Sequence, residues 1–482
     1  MKASDFFVRC LENEGIKYIF GVPGEENADV MISLLDSKID FITCRHEQGA
    51  AFMADVYGRL TGSVAACLGT LGPGATNLVT GVANGNMDRS PMLVITGQGS
   101  LNRLHKESHQ AMDVVEMFRP ITKWNAQIKT PDTISEIVRK ASKIARYEKP
   151  GATHIELPED VAKMTVPDDS QPLTKVKPRR PAPDRKALTQ AVELIKNAKL
   201  PFIISGNGAV RKRASAALRE FQELTGIYGV NTFMGKGSMD HKSQYNLSTV
   251  GLQSRDHASC AIERADLIIA IGYDLVEYHP RLWNHGNRKT IIHIDFEPAE
   301  VDQFYNPAVE INADVADSLT QLNAALKDSG VPKRPDEKYF DELRVRILAD
   351  IAEYKDDTAF PVKPQKILWD VRQAMDLGDI LISDVGAHKM WIARYIMAHD
   401  PNTSVIPNGF CSMGIVVPGV IAARLVHPDH KKVKVLGICG DGGFLMNVQE
   451  LETAVRLKVP VVIMIWNDGE YGLIHWKQEA QF

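Results

Sequence analysis

The strongest chemical signal in this chain is a glycine-flanked aspartate at the end of an apolar run. Gly440-Asp441-Gly442-Gly443 follows Val433–Cys439 and precedes a pattern that predicts a helix over Asn447–Arg456. Glycines let a ligand come close to the backbone. An acid at the carboxyl end of a buried strand sits where open α/β sheets bind ligands. A second acid, in Trp466-Asn467-Asp468, ends the next apolar run. One βαβ unit, about 30 residues, separates the two, so both emerge at one sheet edge. Paired carboxylates there suit a divalent cation that bridges phosphates. Each Asp-Gly step alone is an ordinary turn. The strand, turn, helix and strand around the acids favour the metal and phosphate reading.

Other segments gain meaning only together. Arg45-His46-Glu47-Gln48-Gly49-Ala50-Ala51 follows the apolar run Phe41–Cys44 and opens a helical pattern. An isolated acid at that place complements a helix dipole. Gly21-Val22-Pro23-Gly24, Gly72-Pro73-Gly74-Ala75-Thr76-Asn77 and Asp384-Val385-Gly386-Ala387-His388 each follow an apolar run. Taken singly they are βα turns. Gln110 lies in Ser108–Asp113, beside His109, and Met413 lies in Cys411-Ser412-Met413-Gly414. Methionine fills irregular core gaps, which is Met413's plain alternative.

The elements behind these residues alternate. Lys17–Phe20, Phe41–Cys44, Val64–Gly69, Met92–Thr96 and His154–Leu157 read as buried strands between helical patterns such as Ala3–Asn13 and Gln48–Leu60. This repetition predicts a parallel sheet covered on both faces. A Pro-, Lys- and Asp-rich stretch follows, then a second block with strands at Phe202–Ser205, Leu267–Ile271 and Ile291–Asp295. A further Pro- and charge-rich stretch and a helical segment lead to a third block, with strands at Ile380–Ser383, Val433–Cys439 and Val461–Trp466.

Composition excludes little but excludes it clearly. The 482 residues are 44% hydrophobic and 24% charged, with net charge −4. That balance suits a globular protein and gives no support for nucleic acid or an anionic membrane as partner. The N-terminus lacks a secretory pattern, and no run approaches the roughly 20 apolar residues that span a bilayer. The six cysteines are scattered with no Cys-x-x-Cys pair, as expected of reduced thiols in a cytoplasmic protein.

In this order, and over nearly the whole chain, the motifs resemble the thiamine-diphosphate (ThDP)-dependent acetolactate synthase family. The resemblance implies three doubly wound parallel-sheet α/β domains. They are a pyrimidine-binding domain (1–165), a linker (166–187), a central domain (188–330), a linker (331–364) and a diphosphate-binding domain (365–482) expected to be incomplete. Glu47 matches the acid that activates the cofactor through its pyrimidine. Gln110 matches a glutamine of the substrate channel, and both count as catalytic. Pro73 and Asn77 match the loop beside the pyrimidine, and Pro23, also a cofactor contact, lies in the loop that borders the reacting carbon. Val385, Gly386, Ala387, His388, Gly442 and Gly443 fall on the diphosphate side, Met413 matches the wedge between the cofactor's rings, and Ser412 beside it counts as cofactor-binding. Asp441, Asp468 and the backbone carbonyl of Glu470 match the Mg²⁺ ligands.

The implied activity decarboxylates one pyruvate and joins its two-carbon unit to a second, giving 2-acetolactate and CO₂. It serves acetoin and butanediol formation or branched-chain amino acid biosynthesis. The Ile271–Tyr278 stretch resembles the FAD-independent catabolic branch and carries no dinucleotide fingerprint, so FAD is not expected. Lys477 stands where the biosynthetic branch has a tryptophan, which leaves the acceptor open. A homodimer or homotetramer with sites shared between subunits is implied. Two other readings stay open within this enzyme class: a 2-oxo-acid decarboxylase, although no His-His pair is present, and sulfoacetaldehyde acetyltransferase. An inactive ThDP-binding scaffold is the alternative from another class.

Overall fold

Runs of β-branched and apolar residues become parallel strands buried on both faces, and amphipathic stretches become the helices that cover them. The structure is a computed structural model that describes every residue except 177, 178, 253–255, 332 and 336. Parts of both expected linkers therefore lie outside the described residues. The chain forms two compact units, Met1–Pro178 with Phe410–Phe482, and Arg179–Gly409.

In the first unit a six-stranded sheet contains β1 (Tyr18–Gly21), β2 (Asp40–Thr43), β3 (Ala65–Gly69), β4 (Met92–Gln98), β5 (Trp124–Gln127) and β6 (Ala152–Pro158). Their order is β2-β1-β3-β4-β6-β5, and every pair is parallel. All residues of β3, β4 and β6 are buried, as a doubly covered parallel sheet requires. Helix Ala3–Glu14 packs on Ile134–Arg146, and Glu47–Thr61 packs on Pro73–Met87.

The second unit holds β7 (Pro201–Ser205), β8 (Gly229–Asn231), β9 (Asn246–Thr249), β10 (Leu267–Ile271), β11 (Thr290–Asp295) and β12 (Val309–Asn312), in the order β12-β11-β10-β7-β8-β9. Four further strands follow, β13 (Ile380–Ser383), β14 (Ser404–Val405), β15 (Val435–Gly440) and β16 (Val462–Trp466). Within the second unit β13 pairs with β14, and within the first β15 pairs with β16, both in parallel. The expected α/β class with three parallel sheets is therefore observed.

The differences have physical reasons. Strands β5 and β12 are not among the expected strands because they are polar edge strands without an apolar run: Trp124-Asn125-Ala126-Gln127 is half-buried throughout, and β12 alternates buried and exposed residues. The expected helix over Asn447–Arg456 instead begins at Asp441, breaks at Asn447 and resumes over Leu451–Arg456. The stretch 331–364, expected as a linker that includes a helical segment, contains the helix Lys338–Ala352. It buries Phe340, Leu343, Ile347 and Ile351 in the central core.

The core of the central domain gives a first prediction. Phe221 is fully buried among Leu218, Ile203 and Leu322. Phe221→Ala should destabilise this domain by about 3–5 kcal/mol. Chemical denaturation reads this directly, and a loss below about 1 kcal/mol would contradict the packing.

Candidate active site

Glu47 is the first residue of its helix, and His46 caps that helix by accepting from the Gln48 N–H at 3.1 Å. The carboxylate is 8% exposed. Its Oε2 accepts from Asn77 Nδ2 at 2.9 Å. Asn77 comes from the neighbouring helix Pro73–Met87. At Gly74 a Cβ would stand 3.3 Å from Glu47 Oε1, so the missing side chain keeps space beside that oxygen. A buried carboxylate with one oxygen engaged by Asn77 keeps acceptor capacity that fits a heterocycle's N–H.

The other first-domain segments meet near this acid. Gly72 has φ +47°, and a Cβ there would come 2.7 Å from the Gln110 carbonyl oxygen. Glycine is required on both counts. Gln110 itself is exposed with φ +57°. Its loop is tied down by Gln98, whose Nε2 donates to Met112 O at 3.0 Å and to Glu156 Oε1 at 2.8 Å. Burial pushes the Glu156 carboxyl up to about 7. The Pro23 loop is reached through Thr70, whose hydroxyl donates to Glu26 at 2.7 Å. The Thr70 methyl carbon would lie 2.9 Å from a Cβ at Gly74. Pro23 and Pro73 are exposed, as is His109.

A second cluster forms around the Gly-Asp-Gly turn. Gly440 pairs in register with Trp466, so Asp441 and Asp468 leave adjacent parallel strands at the same edge. Asp441 is half-buried at a helix start, whereas Asp468 is exposed and accepts from the Glu470 N–H at 3.4 Å. The Glu470 side chain pairs with His475 at 2.6 Å, which leaves its carbonyl for other work. A Cβ on Gly442 would stand 3.0 Å from the Tyr471 ring and 3.7 Å from Met413 Cε, so the three lie together. Cys411 (φ +59°) and Gly414 (φ +94°) kink the backbone on either side of Met413. The kink is held twice: Asn84 Oδ1 accepts from the Ser412 N–H at 3.2 Å, and Asn447 Nδ2 donates to Gly414 O at 2.8 Å.

Among the described residues no three His, Cys, Asp or Glu side chains converge as a metal site. Two carboxylates completed by backbone and phosphate oxygens form a hard donor set that still suits Mg²⁺. The Gly442 backbone, open to close approach, suits a diphosphate. Val385–His388 lies in the other unit, after β13 and in the first turn of Ala387–Tyr395. His388 is buried there, which lowers its pKa to about 4 and keeps it neutral.

Sequence reasoning missed Thr70, Asn84 and Glu450. Each acts on a residue distant in sequence, which leaves no local pattern to read.

A second prediction follows from the Asn77 contact. Asn77→Ala removes the observed donor to Glu47, and ThDP-dependent turnover should fall about tenfold. Steady-state kinetics at saturating ThDP checks this.

The fold and site define a thiamine pyrophosphate enzyme. Residues 1–117 match the N-terminal TPP binding domain of thiamine pyrophosphate enzymes, 188–322 the central domain, and 384–482 the C-terminal TPP binding domain. The chain is 33% identical to an acetolactate synthase of Bacillus subtilis, covering 100% of this chain and 84% of the relative. It is 33% identical to a catabolic acetolactate synthase of Raoultella terrigena, covering 99% and 85%. It is 34% identical to the chloroplastic acetolactate synthase 2 of Nicotiana tabacum, covering 98% and 71%. The chain belongs to the acetolactate synthase family of these enzymes.

Proposed function

We propose that this chain condenses two molecules of pyruvate to 2-acetolactate with release of CO₂, using ThDP and Mg²⁺. The observation that carries the reading is the buried Glu47 held by Asn77 in a chain similar along its length to acetolactate synthases. ThDP, when bound, supplies a carbanion centre and an electron sink. Glu47 would hold and exchange a proton at the pyrimidine nitrogen N1′. Pro73 and Asn77 would border the pyrimidine, Pro23 the reacting carbon, and Gln110 would line the substrate channel. Asp441, Asp468 and the Glu470 carbonyl would hold Mg²⁺. Gly442 and Gly443 would take the diphosphate, Met413 would wedge between the rings with Ser412 beside it against the cofactor, and resemblance alone assigns Val385, Gly386, Ala387 and His388 to the diphosphate.

The further assignments share this basis. We assign domains at 1–165, 188–330 and 365–482, a homodimer or homotetramer with shared sites, a cytoplasmic location and no need for FAD. No described helix is long and apolar enough to cross a membrane, and no disulfide forms among the described residues.

The test uses purified, FAD-free protein with pyruvate, ThDP and Mg²⁺. Acid treatment should release acetoin from the product. Acetaldehyde in its place would make the chain a decarboxylase, and absence of turnover would make it a scaffold.

A further inference from the structure

Glu450 is a buried acid that the proposed chemistry does not use. It lies in the break between Asp441–Met446 and Leu451–Arg456, and it is fully buried. Its Oε1 accepts from two consecutive backbone amides, Arg45 N–H at 2.9 Å and His46 N–H at 3.0 Å. Those amides immediately precede Glu47. The other oxygen, Oε2, accepts from the Thr453 hydroxyl at 2.7 Å. A Cβ at Gly49 would stand 2.6 Å from Oε1, so the helix that begins at Glu47 tolerates this carboxylate only because Gly49 has no side chain. The same junction carries Arg45 Nε on Glu452 at 3.0 Å, and Arg456 reaches Thr43 O at the end of β2.

We infer that Glu450 is a positioning residue for Glu47: its carboxylate clamps the Arg45 and His46 amides and so fixes where the helix, and the Glu47 side chain, begin. The physical reason is economy of placement. Two N–H donors that precede a helix start need an acceptor, and a charged one makes the stronger bonds. A shift of about 1 Å at a reacting group costs roughly a hundredfold in rate. The inference rests on Glu47 being the activating acid.

The experiment compares Glu450→Ala, Glu450→Gln and Gly49→Ala in the full-length protein. The first readout is amide hydrogen exchange over residues 45–48 without cofactor. The second is kcat and KM for pyruvate and ThDP, normalised to folded protein. Glu450→Ala should expose the two amides to exchange and lower kcat about ten- to a hundredfold. Gly49→Ala should act in the same direction by displacing the carboxylate. Glu450→Gln keeps an oxygen acceptor and should retain most of the protection and of kcat. Persistent protection in Glu450→Ala would overturn the clamp, and fast exchange with unchanged kcat would overturn the positioning role. Glu47→Gln, assayed in parallel, decides separately whether Glu47 is the activator.

Discussion

Glu47→Gln is expected to lower acetolactate formation by at least about a hundredfold while ThDP binding is largely kept. General acid–base groups contribute roughly 10²–10⁴-fold to rate. Glutamine preserves the volume of the buried side chain and an acceptor for Asn77. It cannot exchange a proton with the pyrimidine. The same argument makes folding insensitive: the site is buried, and the substitution adds no charge there. Calorimetric ThDP titration and single-turnover assays separate binding from chemistry. Full turnover in this variant would mean that another acid activates the cofactor.

Asp441→Ala should act on the opposite property. Removing one of two carboxylates at the β15–β16 edge should weaken Mg²⁺-dependent ThDP binding by about a hundredfold. Asp468 is exposed and leaves the neighbouring strand, so it should not replace the half-buried Asp441 at the helix start. Thermal unfolding provides an independent reading. A ligand at 100 times its dissociation constant stabilises the native state by about 2.7 kcal/mol. ThDP with Mg²⁺ should therefore raise the melting temperature of the unsubstituted protein but not of Asp441→Ala at the same concentrations. Equal stabilisation of both would remove Asp441 from the metal site.

These two predictions mark what was legible in sequence. Glu47, Asn77, Asp441 and Asp468 sit in short segments at strand ends, where residue type and spacing already limit the chemistry. They stand out as candidates because each motif is local. The contacts that set their geometry are not local. Glu450 reaches Arg45 across 405 positions of chain, and Asn84 reaches Ser412 across 328. No spacing rule reports such pairs.

The fold divides in the same way. Buried strands such as β3, β4 and β10 announce themselves as continuous apolar runs. Edge strands β5 and β12 do not, because half of their surface is polar. The helix start at Asp441 lies in what the sequence presents as a turn, because two glycines follow it. A helix's first turn tolerates them, since its N–H groups have no intrahelical partner to lose.

The most direct test of the central claim is a structure of the protein with ThDP and Mg²⁺ bound. A single cofactor is expected, with the carboxylate of Glu47, from the same or a neighbouring subunit, about 2.6–3.2 Å from N1′. Oxygens of Asp441 and Asp468 should lie about 2.0–2.1 Å from the metal. A pyrimidine resting against a different acid, or a metal held by neither aspartate, would contradict it.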